Sequence, residues 1–198
     1  MRIVAGKYRS IKLDTIEGTQ TRPTADRIKE AVFSSIGPYF YGGRMLDCYA
    51  GSGNIGLEAL SRGMDEVDAF EIHDKACACI MSNVKKLKVM EQYHLHRCDV
   101  FAHINDLKGS YDLIYIDPPY AKQKNEQLLE KISNQGLLSE DGILIIESLK
   151  EDEFKEEIGN LRLYKTANYG ITKISYYERV LWEELLSQEH LIRLQKDI

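Results

Sequence analysis

The sequence predicts an α/β fold: a doubly wound, mainly parallel seven-stranded sheet that ends in an antiparallel hairpin. Three observations carry the prediction. From Arg44 onward, short apolar runs alternate with helix-period segments. A glycine-rich turn, Gly51-Ser52-Gly53-Asn54-Ile55-Gly56, joins the first run to the first helix. The run Asp112-Leu113-Ile114-Tyr115-Ile116 is nearly all apolar, as expected of a strand buried on both faces.

The elements follow in order. Residues 2–5 and 9–13 alternate apolar and polar around Gly6, which predicts a hairpin with Arg2 and Lys12 on the face opposite Ile3, Ala5, Ile11 and Leu13. Thr24 is placed to cap a helix running to about Ile36, with Ile28, Ala31, Val32, Ser35 and Ile36 as its stripe and Gly37-Pro38 as its stop. Strands are expected at 45–48, 67–71, 93–98, 112–116 and 143–146. Helices are expected at 54–62, 74–87, a short one ending at 107, 125–132 and 152–158. Residues 161–167 and 171–178 form the closing hairpin through Asn168-Tyr169-Gly170. The layout is thus a basic arm with a helix (1–40), an α/β domain (41–179) and a helical extension (180–198) whose apolar face includes Leu181, Leu185 and Ile192.

Composition narrows the class. With 198 residues, 43% hydrophobic and 29% charged, the chain is ordinary globular material. No apolar run approaches the roughly 20 residues of a membrane span, and the first residues lack a secretory signal. Four cysteines without a CxxC pair point to a reducing compartment, by default the cytoplasm. The net charge of −5 excludes a protein that coats nucleic acid by bulk electrostatics. Residues 1–44 nevertheless carry eight Lys/Arg against four acids, so a basic arm sits on an acidic body and suits a local polyanion site.

The glycine turn fits a ligand loop: glycines permit a sharp bend and close approach, and the helix that follows offers free N–H groups. Glu71 stands 20 residues after Gly51 at the end of the second strand, where a carboxylate can bind both ribose hydroxyls. Asp47 discriminates between cofactors. It ends the first strand and should point into the ligand crevice, where it would repel a pyrophosphate but attract an ammonium or sulfonium. Asp47-Cys48-Tyr49-Ala50-Gly51-Ser52-Gly53 is therefore read as a loop for S-adenosylmethionine (AdoMet), with S-adenosylhomocysteine as product. Asp99 is placed to accept from the adenine amine and Ile72 and Val100 to wall its ring; Asp99 is equally placed to cap a helix.

Asp117-Pro118-Pro119-Tyr120 ends the fourth strand at the carboxyl edge of the sheet. An aryl exocyclic amine is a poor nucleophile because its lone pair is delocalised into the ring. Accepting its two N–H bonds on the Asp117 carboxylate and the Pro118 carbonyl favours a pyramidal nitrogen, and the prolines stiffen the loop. Tyr120 offers a face on which to stack a base taken out of its helix.

With these residues in view, the sequence resembles a known family. The core is similar to class I AdoMet-dependent methyltransferases, whose fold is Rossmann-like, and the Asp-Pro-Pro-Tyr motif to the branch acting on planar exocyclic amines. Arg2-Ile3-Val4-Ala5-Gly6-Lys7-Tyr8-Arg9, Arg22-Pro23-Thr24-x-Asp26-Arg27-x-x-Glu30-x-x-Phe33 and Gly56-Leu57-Glu58-Ala59-Leu60-Ser61-Arg62-Gly63 resemble the bacterial 16S rRNA guanine-N2 methyltransferases over about residues 2–179. The resemblance implies methylation of one guanine N2 amine in 16S rRNA, within a small ribosomal subunit or an assembly intermediate. Arg2, Lys7, Arg9 and Arg22 are the candidate RNA contacts, with Lys7, Arg9 and Arg22 gripping phosphates near the crevice. The chain is read as a monomer, with a weak dimer through the 180–198 helix as the alternative.

Other readings stay open. His94, His96 and Cys98 share one strand face and have a zinc-like spacing, although the proposed chemistry needs no metal and none is assigned. Cys77 and Cys79 point apart on a helix. An adenine-N6 or protein glutamine-amide methyltransferase would use a similar motif, an assembly factor would need no catalysis, and a dehydrogenase would bind nicotinamide.

Overall fold

In a computed structural model of the chain, which describes residues 1–16, 23–119 and 124–181, a single eight-stranded sheet organises the molecule. The elements are α1 (Pro23–Ile36), β1 (Arg44–Asp47), α2 (Asn54–Ser61), β2 (Glu66–Phe70), α3 (Asp74–Leu87), β3 (Tyr93–His96), α4 (Val100–His103), β4 (Tyr111–Ile116), α5 (Asn125–Asn134), β5 (Leu138–Leu149), β6 (Glu157–Ile158), β7 (Leu161–Tyr169) and β8 (Thr172–Arg179). The sheet order is β3-β2-β1-β4-β5-β8-β7-β6. Strands β1 to β5 pair in parallel, and β8, β7 and β6 add antiparallel.

The two-residue period of the strands divides the core into two layers. Met45, Val67, Ala69, Leu113, Tyr115 and Ile145 face the helices α1, α2 and α3, together with Ile3 and Leu13 of the arm. Leu46, Phe70, Ile114, Ile116, Leu144 and Ile146 face the other way, onto Val100, Leu128, Leu129 and Ile132. The arm thus shares a core with the α/β unit.

Three expectations need correction. Residues 152–158 do not form a helix. Phe154 and Ile158 have helical spacing, but Phe154 packs on the second core layer and Ile158 pairs with Leu161, which makes β6 and an eighth strand. Two apolar anchors are too few to hold so short a helix against that packing. The helix α1 begins at Pro23, so Thr24 lies inside its first turn rather than capping it, as suits a proline at the first helical position. In the arm, Arg2 and Lys12 are both exposed and form one antiparallel bridge, but Ile11 is also exposed, unlike Ile3 and Leu13. The expected 180–198 helix falls almost wholly outside the described residues.

Glycine at position 6 sets how the arm lies. Gly6 has φ +82°, and a Cβ there would stand 1.7 Å from the carbonyl oxygen of Ser61. The arm consequently runs hard against the end of α2, with Lys7 N donating to Ser61 O at 2.7 Å and Tyr8 N to Ser61 Oγ at 2.9 Å.

Candidate active site

The carboxyl ends of β1, β2, β4 and β5 open into one crevice. A cavity of about 760 Å³ there is lined by Glu71, Ile72, Asp99, Val100, Asp117 and Pro118 among others, a volume in the range of small-molecule sites. A smaller cavity of about 260 Å³ adjoins it on the α1 side, with Lys29 and Asn54 in its wall, and Asp47, Asp117 and Glu147 reach it too.

Asp47 closes β1 and is 1% exposed. The backbone amides of Tyr49 and Gly56 donate to its carboxylate, yet Oδ2 is buried without a hydrogen-bond partner. Burial pushes its pKa up to about 7, with a small further push from Glu71. A buried acceptor left unpaired is costly, so this oxygen fits a donor or cation supplied from outside the chain.

The three loop glycines serve different ends. Gly51 has φ +55°, and nothing lies within 4 Å of where its Cβ would be, so its backbone faces open cavity. Gly53 has φ +77° and caps α2, with the Tyr93 hydroxyl and Ile80 crowding its Cβ position. Gly56 packs α2 onto the sheet, since a Cβ there would sit 2.9 Å from Val67 and 3.0 Å from Tyr93. Ser52 is buried within the turn, and Tyr49 lines both cavities.

Glu71 is held by backbone. Its Oε2 accepts from Gly51 N at 2.9 Å, and its Oε1 accepts from Ile72 N and His73 N at 2.8 Å each. Three of roughly four carboxylate acceptor sites are occupied, so Glu71 fixes the glycine loop while still facing the cavity. Asp99 caps α4, its Oδ1 accepting from Phe101 N at 2.8 Å, and also lines the cavity. Ile72 is 58% exposed and Val100 1%, so one wall is open to solvent and the other belongs to the core.

Asp117, Pro118 and Pro119 leave β4 into the same crevice, whereas Tyr120 lies outside the described residues. Asp117 is exposed in the crevice, yet protein packed around its carboxyl, together with the neighbouring carboxylates of Glu147 and Asp47, pushes its pKa above the usual carboxylate range. Glu147 is raised as well, chiefly by burial, although the Tyr115 hydroxyl donates to its Oε2 at 2.9 Å and works the other way. Sequence reasoning missed Glu147 and Tyr115. The two-residue period places both on the α1-facing side of the sheet, but only the β4–β5 register brings Glu147 beside Asp117.

The basic residues spread out. Lys29, one of the eight basic residues of 1–44, is 1% exposed and bonds Arg2 O at 2.6 Å, Asn54 Oδ1 at 2.7 Å and Glu58 Oε2 at 3.1 Å. Burial holds its ammonium below the ordinary lysine range against the pull of Glu58. Arg44 is likewise paired, with Asp68 at 3.0 Å. Lys7 and Arg9 are exposed, and the Lys7 backbone is bound at the Ser61 end of α2, about 10 Å along the helix from Asn54. The Arg2 carbonyl accepts from Lys29, a residue in the wall of the smaller cavity, and Arg22 lies outside the described residues. His96 is engaged by Asp68 at 2.8 Å and stacks on Phe70, and among the described residues no group of three or more His, Cys, Asp or Glu is arranged to hold a metal. Cys77 and Cys79 are both free thiols.

A family model described as Conserved hypothetical protein 95 matches residues 1–178. The chain belongs to this family. Its similarity to the Bacillus subtilis protein named "Putative rRNA methyltransferase YlbH" is 37% identity, covering 90% of this chain and 99% of that one. It is 26% identical to "Ribosomal RNA small subunit methyltransferase D" of Escherichia coli K12, covering 90% of each. A solved Escherichia coli structure titled "Putative methyltransferase yhhF" superposes with a TM-score of 0.80 at 27% identity, over 91% of this chain and 98% of that one. The fold of the family member described here is thus the Rossmann-like fold of methyltransferases, with eight strands in its mixed sheet. Among the described residues no helix is long and apolar enough to cross a membrane.

Proposed function

We propose that the chain is an AdoMet-dependent rRNA methyltransferase that modifies the N2 amine of one guanine in 16S rRNA, acting in the cytoplasm on an assembled or assembling small subunit. The observation that carries this reading is the meeting of Asp47, Glu71 and Asp117-Pro118-Pro119 in one crevice. The names of the relatives support rRNA as the substrate. Residues 41–179 form the catalytic domain in this reading, and residues 1–40 present the base-bearing RNA to it.

The crevice fits AdoMet because a buried carboxylate oxygen on Asp47 lacks a partner and the larger cavity has both apolar walls and an acid. Asp47 would hold the ammonium, Glu71 a ribose hydroxyl on its remaining acceptor site, and Ile72, Val100 and Asp99 the adenine, with Tyr49, Gly51, Ser52 and Gly53 shaping the loop. Once bound, AdoMet supplies an electrophilic methyl group on a sulfonium. Asp117 and the Pro118 carbonyl accept the N–H bonds of the target amine and turn its lone pair toward that methyl. Pro119 fixes the carbonyl, and Tyr120 stacks on the base. After transfer the surplus proton passes to Asp117 or to water. Arg2, Lys7, Arg9 and Arg22 contact phosphates.

The reading makes AdoMet affinity depend on pH. In the free protein Asp47 has a pKa of about 7, above its unfolded value, and only its ionised form attracts a cation. Affinity measured by calorimetry should therefore rise about fivefold from pH 6 to pH 7, following the ionised fraction. Asp47→Asn should flatten the profile and lower affinity at pH 7; an unchanged profile would remove Asp47 from the ammonium site. The same shift makes Asp47 reduce stability as pH rises from about 4 to 7, because the folded state there binds the extra proton.

Arg9→Glu should raise the KM for the RNA substrate at low salt, and the difference should shrink as salt is added. An unaltered KM would take the arm out of the RNA interface. The function itself is tested by incubating the protein and labelled AdoMet with small and large subunits from cells lacking the activity. Label in small-subunit RNA supports the reading; label in protein favours the glutamine-amide alternative.

A further inference from the structure

Three carboxylates, of which the sequence motifs supply two, converge on the smaller cavity. Asp47 ends β1, Asp117 follows β4 and Glu147 lies in β5. They share a sheet face, because each stands two residues beyond a residue of the α1-side core: Met45, Tyr115 and Ile145. The parallel register pairs Ile116 with Ile146, which makes Asp117 and Glu147 the next neighbours across the two strands. The loop residues assigned to AdoMet follow β1, β2 and β3, and Glu147 stands on the opposite side of Asp117 in the order β3-β2-β1-β4-β5. Tyr115 donates its hydroxyl to Glu147 Oε2, fixing the carboxylate and leaving Oε1 free to accept. Lys29, which lines the smaller cavity with these acids, is already bound to Glu58.

Two adjacent acceptors suit one purine edge better than the other. Guanine presents two neighbouring donors, N1–H and the N2 amine. Adenine presents its N6 amine beside a bare N1 acceptor, whose lone pair would face a carboxylate. We infer that Glu147 accepts the N1–H of the target guanine while Asp117 and Pro118 hold its N2 amine, so that Glu147 is the residue that excludes adenine. The inference rests on the guanine-N2 reading above. The hydrogen bond from Tyr115 favours the ionised form of Glu147, the form that accepts an N–H.

The test uses small subunits reconstituted with 16S rRNA that carries guanine or 2-aminopurine at the nucleotide labelled by the wild-type protein. 2-Aminopurine keeps the 2-amine but has a bare N1. Wild type should favour guanine about 100-fold in kcat/KM, and Glu147→Gln, whose amide can donate to a bare N1, should compress that preference to within about tenfold. Glu147→Asp, which keeps the carboxylate, should retain a clear guanine preference. Equal losses on both substrates, or an unchanged preference, in the glutamine variant would overturn the inference. If that variant does not fold, Tyr115→Phe frees Glu147 Oε2 and should relax the preference several-fold, and undiminished selectivity would overturn it equally. A wild-type product other than N2-methylguanosine would instead remove the underlying reading.

Discussion

Replacing Asp117 with alanine is expected to lower the methyl-transfer rate about a thousandfold, the size of effect seen when a positioned acceptor or base is removed from a reacting centre. AdoMet affinity should stay within about threefold, because the loss falls on the transition state rather than on cofactor binding. The geometry supports this split. Asp117 is exposed in the crevice beside Asp47 and Glu147, so its removal relieves repulsion between acids while deleting the acceptor for the amine. Single-turnover rates on small subunits, set beside calorimetric AdoMet titrations, measure the two quantities separately. Parallel losses in both would mean that Asp117 serves the cofactor rather than the amine.

Glu58→Ala should cost about 3–5 kcal/mol of folding stability, the range for breaking a buried ion pair from one side. Glu58 is 0% exposed in α2. Its Oε2 accepts from Val4 N at 2.8 Å and lies 3.1 Å from Lys29 Nζ; its Oε1 accepts from Ala5 N at 3.0 Å and Arg62 Nε at 2.8 Å. One carboxylate thus pairs two buried cations and two amides of the arm. Without it, Lys29 and Arg62 keep their charges in a closed interior and the arm loses its anchor. Urea unfolding should show a lower midpoint, and limited proteolysis should cut near the arm. A loss below about 1 kcal/mol would show that the arm docks by apolar packing alone.

The contrast between Asp117 and Glu147 shows what the sequence could reveal. Asp117 belongs to a four-residue motif, and Asp47 to a glycine loop, so local spacing announces both. Glu147 is one acid at the end of a long apolar strand, and its meaning comes from the β4–β5 register, which no local pattern encodes. The burial of Lys29 was illegible for a related reason. A lysine beside an apolar stripe normally reaches solvent, and only the placement of Glu58 on another helix makes burial tolerable. Strand and helix order from β1 to β5 was legible because period and punctuation agree there. Residues 152–158 were not, since two apolar residues four apart suit a helix turn and the edge of a sheet alike. The position of Lys7 and Arg9 depended on Gly6 lying against Ser61, a contact between segments 55 residues apart.

The most direct test of the central claim is the identity of the methylated nucleoside. Small subunits lacking their native N2 methylation would be incubated with labelled AdoMet and the protein, and the RNA digested to nucleosides and separated. The account predicts that the label appears in N2-methylguanosine. Label in N6-methyladenosine, or no label in RNA although AdoMet binds, would contradict it.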